Sequence, residues 1–152
     1  MEVSKCNKMS YFLDLNTINA TNIAALDDQD NQITFGELVL FCKKFKTIIK
    51  PRSLVFHFSE NSVASLKFYI ACIESKAIPL LLSTQTDSEL IKQLIDKYQP
   101  NYLVVPDQLV NLFEGQVLLK NLDYNLIKIS DQVHEIYHDL ALLLPTSGST
   151  GS

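Results

Sequence analysis

Apolar and polar residues change rhythm twice in the first third of the chain. Ile23-Ala24-Ala25-Leu26 and Gln32-Ile33-Thr34 flank Asp27-Asp28-Gln29-Asp30-Asn31. Turn formers between two short apolar segments predict a small hairpin. The period then becomes helical, with Phe35, Leu38, Cys42, Phe45 and Ile49 three or four apart, and Pro51 closes the element. Thr34 and Glu37 fit a capping box, in which each side chain satisfies a free backbone N–H at the helix start. Farther on, apolar runs at 54–58, 78–82 and 102–105 alternate with helical patterns at 63–73 and 90–98. The runs are almost continuously apolar, as strands covered on both faces tend to be. This β-α-β-α order predicts an α/β fold with a mostly parallel sheet flanked by helices.

The two later helices differ in character. Val63, Leu66, Phe68, Tyr69, Ile70, Cys72 and Ile73 spread around the whole circumference of the first, which predicts burial. The second carries one stripe, Leu90, Ile91, Leu94, Ile95 and Tyr98, and Thr86 with Glu89 predicts a second capping box. Signals weaken after Pro100. Residues 116–122 and 126–129 read as short strands or half-buried connectors around a turn at 121–125. The five apolar residues at 140–144 predict a buried strand.

That strand leads into Thr146-Ser147-Gly148-Ser149-Thr150-Gly151-Ser152. Glycines free the backbone N–H groups and hydroxyls stand beside them, so the stretch supplies many short donors that a phosphate chain can approach closely. It is not a Walker loop: no lysine follows and the glycines are only three apart. It also lacks the dinucleotide G-x-G-x-x-G spacing. On composition alone a flexible Ser/Gly linker is the favoured explanation.

The 152 residues suit one domain, and 47% hydrophobic with 20% charged residues is ordinary globular composition. A net charge of −4 with Arg52 as the only arginine gives no basic stripe, which argues against nucleic acid or an anionic membrane as partner. No apolar run of about 18 residues predicts a span, and MEVSKCNKMS lacks the apolar core of a signal peptide. Cys6, Cys42 and Cys72 are odd in number and widely spaced, which suits a reduced, cytoplasmic protein. Cys42 and Cys72 fall in apolar patterns and read as core residues, as does His57 in its strand. His134 and His138, interleaved with Glu135 and Asp139, have metal-ligating side chains but no helical stripe to bring them together, so no metal site is assigned. Lys43, Lys44 and Lys46 read as the solvated face of the first long helix.

Residues 144–151, Leu-Pro-Thr-Ser-Gly-Ser-Thr-Gly, resemble the phosphate loop of the adenylate-forming superfamily, the AMP-binding enzymes that include acyl-CoA synthetases, luciferases and peptide-synthetase adenylation domains. That loop reads Ser/Thr-Ser-Gly-Ser/Thr-Ser/Thr-Gly, any residue, then Pro-Lys. Asp139 matches the aspartate of the approach to it. Upstream, Ile33-Thr34-Phe35-Gly36-Glu37-Leu38 is similar to the family's TYxEL helix start. Asn61-Ser62, an apolar helix, then Ser75-Lys76-Ala77-Ile78-Pro79-Leu80 is similar to its NS…AGAxxxPL segment. Order and spacing agree over 23–152. Two positions depart: Ser75-Lys76-Ala77 stands where Ala-Gly-Ala is common, and Pro145 replaces a frequent aromatic or small residue.

The resemblance implies the N-terminal part of the large domain of such an enzyme over 1–152, with an incomplete phosphate-binding loop at 146–152. It implies ATP and Mg2+ as cofactors of the parent, with Thr146, Ser147, Gly148, Ser149, Thr150 and Gly151 around the phosphates and no catalytic residue in this stretch. The implied reaction is an ATP-dependent carboxylate ligation: the acid attacks the α-phosphate, pyrophosphate leaves, and the acyl group of the adenylate passes to a thiol of coenzyme A or a carrier protein. The fragment alone is then expected to be inactive. The alternative is a free-standing, non-catalytic α/β binding or interaction module built on the same fold.

Overall fold

The computed structural model describes residues 14–145. A short 3-10 turn, Leu15–Thr17, precedes an antiparallel pair, β1 (Ile23–Leu26) and β2 (Gln32–Thr34). The predicted turn between them is built on Asp27, whose carboxylate accepts from the N–H groups of Gln29 and Asn31 at 3.0 and 2.9 Å.

Helix α1 (Phe35–Ile48) starts as predicted. The Glu37 carboxylate accepts from the Thr34 N–H at 2.8 Å, and the Thr34 hydroxyl accepts from the Glu37 N–H at 3.3 Å. The Thr34 N–H and the Thr34 hydroxyl, the latter at 2.9 Å, both donate to the Glu37 carboxylate and hold it below its usual range. Thr34→Ala is expected to cost about 1 kcal/mol, seen as a lower urea midpoint at unchanged m. An unshifted midpoint would mean that packing alone defines this helix start.

The chain then runs through β3 (Leu54–Ser59), α2 (Val63–Glu74), β4 (Ile78–Ser83), α3 (Ser88–Tyr98) and β5 (Tyr102–Pro106). A 3-10 turn (Asp107–Leu112) leads to β6 (Gln116–Asn121) and β7 (Tyr124–Lys128). The main sheet has the order β4-β3-β5-β7-β6. Its first three strands are parallel, and β7 turns the sheet antiparallel against β5 and β6. The expected α/β sheet between helices is thus present, with a mixed far side.

Strand alternation divides the core. Val55, Val104, Tyr124 and Leu126 face α1 and α2, where Phe41, Phe45, Phe68 and Cys72 pack. Phe56, Phe58, Leu103 and Ile127 face the other way, toward Ile91 of α3. As predicted, α2 is extensively buried, and Lys43, Lys44 and Lys46 are exposed. No helix among the described residues is long and apolar enough to cross a membrane.

Three local expectations are revised. The cap of α3 is Asp87, whose carboxylate accepts from the N–H groups of Glu89 and Leu90, while the Thr86 hydroxyl turns back to the Ser83 carbonyl at 2.6 Å. A carboxylate at the positive end of the helix is the stronger cap. The turn expected over 121–125 shrinks to Leu122-Asp123, because Tyr124 and Asn125 pair with Pro106 and Val105 as part of β7. Residues 140–144 do not form a strand: Leu143 alone makes a bridge, to Leu80, and Leu144 is 63% exposed. A strand there has only the edge of β4 to pair with.

That edge is suited to a partner. Pro79 lies inside β4, a position a proline tolerates only where its missing N–H faces away from the neighbouring strand. Its carbonyl points outward and accepts from the Leu143 N–H at 2.9 Å, and the Leu81 N–H donates to the Leu143 carbonyl at 3.2 Å. Lys76 is in the left-handed region with φ 58°, just after the end of α2, where glycine is favoured.

Candidate functional site

Thr146, Ser147, Gly148, Ser149, Thr150 and Gly151 lie outside the described residues. Their approach is described. After β7 the chain passes beneath the N-terminal ends of the parallel strands. The Asn101 carbonyl accepts from the Ile129 and Ser130 N–H groups, and the Asn101 amide donates to the Gln132 carbonyl at 2.7 Å. One imidazole nitrogen of His134 is 3.0 Å from the Gln99 carbonyl. Arg52 then donates to the carbonyls of Tyr137 and Leu140, the latter at 2.8 Å. Finally Leu143 docks on β4, running parallel to it.

The direction matters. A segment parallel to β3, β4 and β5 travels toward their carboxyl ends, and in open α/β sheets ligands bind in the crevice outside those ends.

At that end a polar crevice of about 350 Å³ opens between the β1–β2 turn and the start of α2, lined by Asp27, Asp28, Ser59, Glu60, Asn61 and Ser62, among others. Its chemistry does not suit phosphate. The N-terminus of α2, the natural anion site, already holds Asp27, whose carboxylate accepts from the Val63 N–H at 3.1 Å. Partial desolvation works to raise the Asp27 pKa, but bonds from Val63, Asn31 and Gln29 outweigh it and hold the group below its ordinary value. With Asp28 and Glu60 beside it, a phosphate chain would meet acidic side chains. This crevice lacks the donor set a phosphate chain requires.

A larger apolar groove, about 690 Å³, lies between α3 and the 3-10 turn and includes Pro100, Leu103, Leu112 and Phe113 in its walls. It reaches the N-terminal end of β5, away from the end toward which Leu143 points.

The other chemistry-bearing residues are structural. His57 is fully buried, with one ring nitrogen 3.1 Å from the Ser65 hydroxyl, and burial pushes its pKa down to about 4. Burial also pushes the Cys42 thiol up to about 12 and raises that of Cys72, so neither is a ready nucleophile. His134 and His138 have different partners, Gln99 and Asp139. No group of three or more His, Cys, Asp or Glu suited to a metal occurs among the described residues.

Sequence reasoning did not single out Arg52 as an anchor and passed over Asn101. Asn101 is buried, and its side-chain oxygen also accepts from the Leu54 N–H at 3.0 Å. Its signal is a polar amide between Pro100 and an apolar strand. The signal for Arg52 is its being the only arginine.

No protein-family model and no curated protein matches the sequence. Solved structures do. The N-terminal subdomain of Klebsiella oxytoca NpsA, in complex with anthranilyl-AMSN, superposes with a TM-score of 0.52 at 17% identity, over 61% of this chain and 26% of that one. O-succinylbenzoate coenzyme A synthetase (MenE) from Bacillus subtilis, in complex with ATP and magnesium ion, gives 0.52 at 15% identity, over 61% of this chain and 27% of that one. The match thus spans about a quarter of each neighbour's length. Likeness at such identities is one of fold. The described residues have the fold of the N-terminal portion of the adenylate-forming enzymes, as the motifs along the sequence led one to expect.

Proposed function

We infer that this chain is the N-terminal part of an ATP-dependent carboxylate ligase, spanning 1–152 and ending in its phosphate-binding loop at 146–152. The observation that carries the reading is the docking of Leu143 on the edge of β4, directed toward the carboxyl ends of the parallel strands, three residues before Thr146. In this reading the backbone N–H groups of Gly148 and Gly151, with the hydroxyls of Thr146, Ser147, Ser149 and Thr150, hold the β- and γ-phosphates of ATP. Bound Mg2+ supplies further neutralisation of their charge. The loop's contribution is positioning and electrostatic stabilisation, with no covalent step of its own.

The acid attacks the α-phosphate to give an acyl-adenylate and pyrophosphate, and a thiol of coenzyme A or a carrier protein then displaces AMP. The fold shared with MenE, a coenzyme A synthetase by name and bound to ATP and magnesium, supports this class. The neighbours are about four times longer than the matched region, so the acid pocket and catalytic groups are assigned to sequence outside this chain. The 152 residues alone are expected to be inactive. Buried free Cys42 and Cys72 suit a reducing compartment, and we assign the enzyme to the cytoplasm.

The test is carboxylate-dependent exchange of labelled pyrophosphate into ATP. The product of the complete gene is expected to exchange label with at least one member of a broad acid panel and not without acid. Absence of exchange across the panel would remove the ligase reading. Exchange by the 152 residues alone would show that the remainder is dispensable.

A further inference from the structure

The segment 129–143 is a strap that carries the chain from β7 across to the far edge of the sheet. Its first part is fastened by Asn101, Pro100 and Gln99, and its end by the bridge at Leu143. Between them, over 135–142, the only hydrogen bonds to the rest of the chain among the described residues are those Arg52 donates to the carbonyls of Tyr137 and Leu140. Arg52 is itself firmly held. It is half-buried between α1 and β3 with φ 62°, and its N–H donates to the Lys76 carbonyl at 2.8 Å.

We propose that Arg52 is a positioning residue for the phosphate loop. Its guanidinium fork on the Tyr137 and Leu140 carbonyls fixes the strap that seats Leu143 on β4, three residues before the loop begins in the sequence. The proposal rests on the phosphate reading of that loop. Guanidinium suits the task because its N–H groups diverge in one rigid plane and serve two carbonyls at once, which a lysine ammonium at the end of a flexible stem does poorly. Leu143 lies three positions beyond Leu140, a reach of about 10 Å at full extension, so slack at one is felt at the other. Thr146 lies six positions beyond Leu140.

Arg52→Gln and Arg52→Lys are compared with wild type in two measurements. In amide hydrogen exchange, Leu81 and Leu143, whose N–H groups make the bridge, are expected to exchange about tenfold faster in Arg52→Gln, and by less in Arg52→Lys, while Val104 in β5 is unchanged. In pyrophosphate exchange by the product of the complete gene, KM for ATP is expected to rise about tenfold in Arg52→Gln with KM for the acid unchanged, and Arg52→Lys is expected to lie between. A merely structural role would accelerate Val104 as well, or move both KM values. Unchanged Leu81 and Leu143 amides overturn the hold on the strap, and loosened amides with an unmoved ATP KM overturn the link to the loop. If wild type performs no exchange with any acid, the phosphate reading fails first and takes this proposal with it. Active wild type with an unaffected Arg52→Gln defeats the proposal alone.

Discussion

Phe68→Ala is expected to destabilise the protein by about 3–5 kcal/mol, a large share of the roughly 5–15 kcal/mol that holds a domain together. Phe68 is fully buried on the face of α2 that meets both α1 and the sheet. Its ring stands edge-on to Phe41 and Phe45, with centroids 5.1 and 5.9 Å away, and lies tilted at 6.2 Å from Tyr124 of β7. Removing it therefore takes away transfer energy, three favourable aromatic contacts and the wedge that keeps α1, α2 and β7 together. Full collapse of the cavity would need all three elements to move. Urea unfolding supplies the measurement, with Leu40→Ala as control, since Leu40 sits on the exposed side of α1 at 66% exposure and should cost no more than about 0.5 kcal/mol. Comparable losses in the two variants would refute the placement of α2 between α1 and the sheet.

The helices and parallel strands were legible because their signals are local. Thr34 and Glu37 cap each other within one turn. The runs at 54–58, 78–82 and 102–105 are apolar on both faces because helices cover both faces, so the pattern carries the burial directly. What was not legible depended on partners distant in sequence. Asn121 to Asn125 contains strong turn formers, yet Tyr124 is fully buried because β5 offers it a pairing position and Phe58 offers a carbonyl, 2.9 Å from its hydroxyl. Residues 140–144 err in the opposite direction. Five apolar residues look like a strand, but the sequence does not say how much surface is available to receive them.

The site divides along the same line. Its expected chemistry is read from residue types, from Thr146 to Gly151 taken together with the motifs upstream. The placement of the approach, residues 129–143, is carried by Arg52, Asn101 and Pro79, none of which looks functional in sequence. Pro79 leaves the outer edge of β4 short of one donor, Leu143 uses the carbonyl that remains, and Arg52 holds the strap in reach. The docking of Leu143 beside β4 therefore rests on backbone carbonyls, which are invisible to motif reading.

Acid is expected to weaken the protein through His57 from about pH 6.5 downward. Burial opposes a charge on this ring, so its pKa falls from an ordinary 6.5 to about 4 in the folded state. The unfolded chain then binds the proton more tightly. The associated stability is fully present above about pH 6.5, declines as the pH falls, and is gone below about pH 4, a loss of about 3 kcal/mol. Among the described residues the other ring nitrogen has no partner; the ring meets the Ser65 hydroxyl and the rings of Tyr69 and Tyr124, and it borders the crevice that Asp27, Asp28 and Glu60 line. His57→Leu removes the titration while keeping an apolar filling of similar size. Its stability at pH 7 reports the lost Ser65 contact; its slope between pH 6.5 and 4 reports the proton. Carboxylates held below their usual range, such as Asp107 beside Lys120 and Asn125, lose their contribution at lower pH and do so equally in both proteins. Urea midpoints across that window should diverge, wild type losing about 3 kcal/mol more than the variant on going from pH 7 to pH 4. Parallel pH profiles for the two proteins would mean that the ring finds water or an anion in the folded state, and that His57 is not sealed in the core.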